Sequence, residues 1–176
     1  MIISLMALSK LNRKDSMLNF LGFIRKKNVY LSIANVILSN KSYELYDKVI
    51  KEFLLFFDNF KIEIDLNNKS IMCDFEHSLR TAIINNIKDI KLRGCFFHFS
   101  KSIYKKCKEY GLFTKNRKKD TIIIAFILKL YPYIPTDLRK DYINKIENHI
   151  KNFEKEYQKL ISYFKKNWID NKFFNF

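Results

Sequence analysis

Ser70-Ile71-Met72-Cys73-Asp74-Phe75-Glu76 is the stretch on which the fold reading turns. Ser70 to Cys73 is a short, mostly apolar run, as a buried strand would be, and it ends on an acid. Phe75, Leu79, Ile83, Ile84 and Ile87 then recur at helical steps and predict a helix. A carboxylate at the carboxyl end of a buried strand stands where open α/β sheets place their functional groups. Two roles suit Asp74. It can cap the following helix, or it can offer oxygen to a hard divalent cation. Two such cations can clamp the attacking and leaving oxygens of a phosphodiester displacement.

The flanks extend the pattern. Upstream, Leu18 to Ile24 reads as a strand and Arg25 to Asn28 as a turn. Val29 to Leu38 is nearly continuous in apolar residues and predicts a strand buried on both faces. Ser39-Asn40-Lys41-Ser42 interrupts it, with Ser42 placed to cap a helix. Tyr43, Tyr46, Val49, Ile50, Phe53, Leu54 and Phe57 give that helix one apolar face. Ile62, Ile64 and Leu66 alternate with charged residues before an Asn67-Asn68 turn. Downstream, Ile90 and Leu92 predict a strand closed by Gly94. Strands alternating with helices imply α/β crossovers and a largely parallel core.

The remainder is helical. A helix is expected from Phe97 to Tyr110 with Gly111 as its cap. A basic loop, Lys115 to Lys119, precedes an apolar helix from Thr121 to Leu130. Pro132 and Pro135 break the chain. From Leu138 to Trp168 apolar residues step by threes and fours, as one long helix or two in line. The architecture is an α/β half followed by an all-α half that packs with it.

Composition bounds the function. With 3 Gly, 2 Pro and 48% hydrophobic residues in 176, the chain is neither collagen-like nor disordered. Cys73, Cys95 and Cys107 are too few and odd in number for a disulfide framework. The longest apolar run, Ile122 to Leu128, is far short of a membrane span. Met1 to Leu8 is apolar but has neither a positive residue ahead of it nor a cleavage site, so it is not read as a signal peptide. A soluble intracellular protein is expected. The 33 Lys+Arg against 18 Asp+Glu give a net charge of +15, which points to a polyanion, nucleic acid first. A codon drift toward AT-rich composition gives the same lysine excess. Lys115, Arg117, Lys118 and Lys119 are the candidate phosphate contacts, or equally a solvated loop. Cys95 and His98 are three apart, as in zinc sites, but Cys107, His77 and His149 offer no matching second pair.

The order of these pieces resembles a family. Asp74-Phe75-Glu76 opens a helix. Gly94-Cys95-Phe96-Phe97-His98-Phe99 follows, then Tyr110-Gly111-Leu112 at a helix end. Together they resemble the transposases of Mutator-like elements (MULE). Leu38-Ser39-Asn40-Lys41-Ser42 followed by Tyr46, then Tyr133-Ile134-Pro135, Tyr163-Phe164 and Trp168-Ile169, fall in the family's order. The resemblance implies an RNase H-like α/β fold with an inserted helical region. Residues 1–112 would be a partial core with a mixed sheet, and residues 113–176 a helical region packed on it. It implies an Asp-Asp-Glu triad binding two divalent metals, Mg2+ or Mn2+, that cuts and joins DNA at element ends. Asp74 matches the second Asp and would be the metal ligand. Cys95 and His98 match a Cys-x-x-His motif of the active site. The implied partner is transposon-end DNA, a homo-oligomer is compatible, and the setting is nuclear or intracellular.

The first Asp belongs in an Asp-Gly-Thr-Phe strand, which falls near or before Met1, and Met1 to Leu8 holds no acid. Asp15 has no Gly-Thr-Phe after it. The last Glu belongs beyond Phe176, and Glu147, Glu154 and Glu156 lack its Asn-Asn-x-x-Glu setting. One carboxylate cannot hold two metals. The expectation is a catalytically incomplete transposase fragment. The alternatives are a non-catalytic basic module that binds nucleic acid or protein, and an unrelated α/β-plus-helical domain.

Overall fold

The computed structural model describes residues 2–8, 16–24, 29–61, 70–116 and 118–170. The readings at Arg25 to Asn28, at Ile62, Ile64 and Leu66, at Asp15 and at Arg117 lie outside the described residues. The chain divides into two compact units, Met1–Cys95 and Phe96–Phe176.

The first unit is built on a five-stranded mixed sheet of order β3-β2-β1-β4-β5. Its strands are β1 (Ile2–Leu8), β2 (Ser16–Ile24), β3 (Val29–Leu38), β4 (Ser70–Cys73) and β5 (Lys91–Gly94). β1, β2 and β3 form an antiparallel meander, with a register shift in the β2–β3 pair at Phe20/Leu21. β4 lies parallel to β1, and β5 parallel to β4. The core is therefore mixed rather than largely parallel. Seven residues separate β1 from β2 and four separate β2 from β3, too few for the crossover that consecutive parallel strands need. The apolar run Met1 to Leu8, given no element by the sequence, holds the central strand.

β3 is the outer strand of this sheet, and it is not buried on both faces. Leu38 is buried, whereas Ile33 and Ile37 are exposed, Ile37 by 67%. Apolar continuity alone does not separate an edge strand from a central one.

The helices α1 (Tyr43–Asn59) and α2 (His77–Asn86) complete the unit. Ser42 Oγ accepts from the Leu45 N–H, capping α1 as expected. Tyr46, Ile50 and Phe57 are buried on its inner face, with Phe53 stacked on Phe20 at 4.1 Å. α2 buries Leu79, Arg80, Ala82 and Ile83, while Ile84 is exposed, contrary to the expected stripe. Asn86 Nδ2 donates to Asp47 Oδ1 at 2.7 Å and Asn85 Nδ2 to the Tyr43 hydroxyl at 2.9 Å, tying α2 to α1.

The second unit comprises α3 (Phe96–Glu109), α4 (Lys118–Leu130), α5 (Arg139–Ile150) and α6 (Lys155–Phe164). α3 ends at Gly111, whose φ of +66° suits glycine. The Leu112 N–H bonds Cys107 O and the Gly111 N–H bonds Lys108 O, a Schellman cap. Two 3-10 turns, Tyr131–Tyr133 and Thr136–Leu138, carry the chain through the prolines. The long periodic stretch is two helices, broken before Glu154, which adopts an extended N-cap conformation. Ile150, Phe153 and Tyr157 keep three- and four-residue steps across the break, which hides it from the sequence. α6 runs on into a π-helical turn, Lys165–Ile169. Phe99, Phe164 and Trp168 are buried together, with Phe99 and Trp168 edge-to-face at 4.9 Å. Thr121 is buried, and its hydroxyl bonds Leu112 O at 2.7 Å and the Tyr157 hydroxyl at 3.0 Å.

Candidate functional site

β4 and β5 run side by side and stop level with each other, Cys73 paired with Gly94. The Cys95 N–H closes the step with a bond to Cys73 O at 3.1 Å. Asp74 and Cys95 therefore leave adjacent strands at the same carboxyl edge, the edge where α/β sheets carry their sites. Close packing fixes that corner. A Cβ added at Gly94 would run into the Phe75 ring.

Asp74 is not the N-cap residue of α2. The helix opens at His77, and the N-cap position belongs to Glu76, which makes no side-chain cap bond. Asp74 lies two residues earlier, and its Oδ1 accepts from the Phe75 N–H at 2.6 Å. Glu76 is engaged by Lys41, with Nζ to Oε2 at 2.8 Å.

Three further residues that the sequence reading did not assign to the site stand here. Tyr46 is fully buried, and its hydroxyl makes no well-formed hydrogen bond. Burial, and behind it the charges of Glu76 and Asp74, pushes its phenol above the ordinary value. Arg80 is 5% exposed and donates to Cys73 Sγ at 3.5 Å. Burial pushes the Cys73 thiol up to about 11, against the pull of Arg80, so the sulfur stays protonated at neutral pH. Lys41 is the third, through its ion pair to Glu76. A signal existed for Arg80. An arginine flanked by Leu79 and Ala82-Ile83 is too costly to bury unless something holds its charge.

His98 lies in the first turn of α3, in the second unit, half-buried and edge-on to the Phe97 ring at 5.6 Å. Lys115 is exposed in a turn. Lys118 and Lys119 open α4 rather than continuing a loop, and Lys119 is exposed.

A hard divalent cation takes six or more oxygen ligands, or keeps several waters beside one or two carboxylates. Around Asp74 stand a thiol, a guanidinium and a Glu76 carboxylate already paired with an ammonium. This donor set does not fit a pair of divalent cations. Among the described residues no group of three or more His, Cys, Asp or Glu could hold a metal ion. Nor is any described helix long and apolar enough to cross a membrane.

No curated protein matches the chain. The family model described as MULE transposase domain matches residues 9–102. That is just over half of the 176 residues, and it contains Asp74, Cys95 and His98. The strand edge bearing Asp74 and Cys95 thus falls inside the matched stretch, and the chain belongs to the MULE transposase domain family.

Proposed function

We propose that this chain is a catalytically incomplete MULE transposase domain, descended from an enzyme of metal-dependent DNA cleavage and strand transfer. It retains DNA handling without the chemistry. Residues 1–112 are read as a partial RNase H-like core and residues 113–176 as its helical region. An antiparallel meander β1-β2-β3 joined through β1 to parallel β4 and β5 supports the RNase H-like reading. Asp74, Cys95 and His98 are the surviving positions of the ancestral site, and DNA in an intracellular compartment is the partner.

One observation carries the proposal. β1 pairs Ser4 with Met72 of β4, so counting two residues on brings Met6 level with Asp74. The central strand is the natural place for a partner carboxylate, and β1 holds no acid anywhere along Ile2–Leu8. Without that carboxylate, two metals have no shared ligands to hold them in line with a phosphodiester.

The test incubates purified chain with supercoiled plasmid and Mg2+ or Mn2+. No nicking is expected from the natural sequence. Nicking that disappears in Asp74→Ala would refute incompleteness. Calorimetry with Mn2+ sharpens the result, since Met6→Asp should raise affinity measurably over the natural chain. A purely non-catalytic origin, with a basic surface as its only asset, predicts no gain from Met6→Asp.

A further inference from the structure

One ridge of the second unit carries three lysines in a row along α6 and its extension. Lys155, Lys159 and Lys166 fall at i, i+4 and i+11 of α6 and its π-helical extension. At about 100° per residue they lie within roughly 40° of one another around the helix axis. Tyr157, Leu160, Ile161, Phe164 and Trp168 occupy the opposite side and are buried. The three lysines are exposed and make no ion pair among the described residues. They line an open groove of about 610 Å³ together with Tyr110, Tyr163 and Gln158, and no carboxylate lines it.

Two features distinguish this groove from an ordinary solvated helix face. Its tyrosines, one from the end of α3 and one from α6, are bridged by a fourth cation. Lys106 Nζ stands 5.1 Å from the Tyr163 ring centre and 5.8 Å from that of Tyr110. Glu109 holds Lys106 there and lies outside the lining. The helix also widens to π geometry at Lys165–Ile169, where Lys166 sits. Such turns concentrate at functional sites, because the extra residue re-aims side chains at a cost in helix stability. Lys165 is drawn away to Glu147 at 2.9 Å, which leaves Lys166 to the groove.

We propose that this groove binds the phosphodiester backbone of DNA. The ridge from Lys155 to Lys166 is about 16 Å long at 1.5 Å per residue, the reach of several phosphates of one strand. Lysine ammoniums and tyrosine hydroxyls donate to phosphate oxygens and carry no base-edge code, so recognition is independent of sequence. This surface is separate from Lys115 and Lys119. It rests on the reading of the chain as a DNA-handling domain, which supplies the choice of DNA.

The experiment is fluorescence anisotropy of the full chain with an arbitrary labelled DNA duplex across a series of salt concentrations. The groove variant is Lys155→Gln, Lys159→Gln, Lys166→Gln. A charge-matched control is Lys48→Gln, Lys88→Gln, Lys140→Gln, and circular dichroism verifies that both fold. The groove variant should lose about tenfold or more in affinity, and its log–log salt slope should flatten by roughly 2.7, at about 0.9 per phosphate contact. The control should lose clearly less. If natural chain binds but the two variants match in affinity and slope, the groove assignment falls and the DNA-handling reading stands. If natural chain fails to bind any duplex at low salt, that reading falls with it. A tenfold preference for an RNA duplex of the same length overturns the assignment to DNA.

Discussion

At the end of β4, Lys41 is held by Glu76 and Arg80 reaches the Cys73 sulfur. Along α6, Lys155, Lys159 and Lys166 stand in a groove without a carboxylate. The strand edge of the first unit gathers an ion pair and a guanidinium–thiol contact around Asp74. The second presents uncompensated positive charge to solvent. Charge at the strand edge is paired within the chain, whereas the unpaired charge on α6 is solvated and raises the local concentration of a polyanion.

The largest expected effect tests whether the two units are separate in stability. Phe99 is fully buried against Phe164 and Trp168, so Phe99→Ala should cost about 3–5 kcal/mol. Urea denaturation reads the loss. Hydrogen exchange should then accelerate in α3 and α6 and leave β4 and α2 protected. Equal acceleration everywhere would mean that the units melt as one.

Next comes the strand-edge corner. Gly94→Ala should cost about 1–3 kcal/mol, because the new methyl overlaps the Phe75 ring. A Phe75→Leu background should recover part of it, and a double-mutant cycle showing strict additivity would remove the proposed contact.

Two buried tyrosines sharpen the comparison further. Tyr157 shares a hydrogen bond with Thr121, so Tyr157→Phe should cost about 1 kcal/mol. Tyr46 carries a buried hydroxyl with no well-formed hydrogen bond beside the Glu76 charge, so Tyr46→Phe should cost less than Tyr157→Phe. Thermal melts of the two variants moving together would contradict the difference.

The smallest effect at neutral pH is that of the thiols. Burial raises both Cys73 and Cys107 from 9.0 to about 11. Above pH 9 the unfolded chain releases these protons while the native chain keeps them. Their contribution is therefore complete below about pH 9 and is lost as pH rises toward 11. Urea midpoints at pH 8 and pH 10 should show this fall, and Cys73→Ala should reduce it.

The sequence made β4 legible to the residue, along with β3, the Ser42 cap and the Gly111 cap. Each rests on neighbours within a few positions. It missed β1 because Met1 to Leu8 alternates too weakly to announce a strand, and nothing local says that β4 will lie beside it. It misjudged β3 because edge and centre share the same apolar composition. Asp74 was found, but the N-cap position of α2 falls on Glu76, because where a helix starts is settled by backbone geometry that the spacing of apolar residues leaves open by a few positions.

Family membership and the lysine-rich charge were therefore written in the chain itself, in motif order and composition. The neighbours of Asp74 were not. Lys41 and Tyr46 come from the segment that opens α1, and the docking of α1 on α2 brings them to the strand edge that Asp74 and Arg80 share. The same holds for the α6 groove. Helical periodicity sets its lysine ridge, but the approach of α3 supplies Tyr110, because contacts between distant segments are decided by packing and not by spacing.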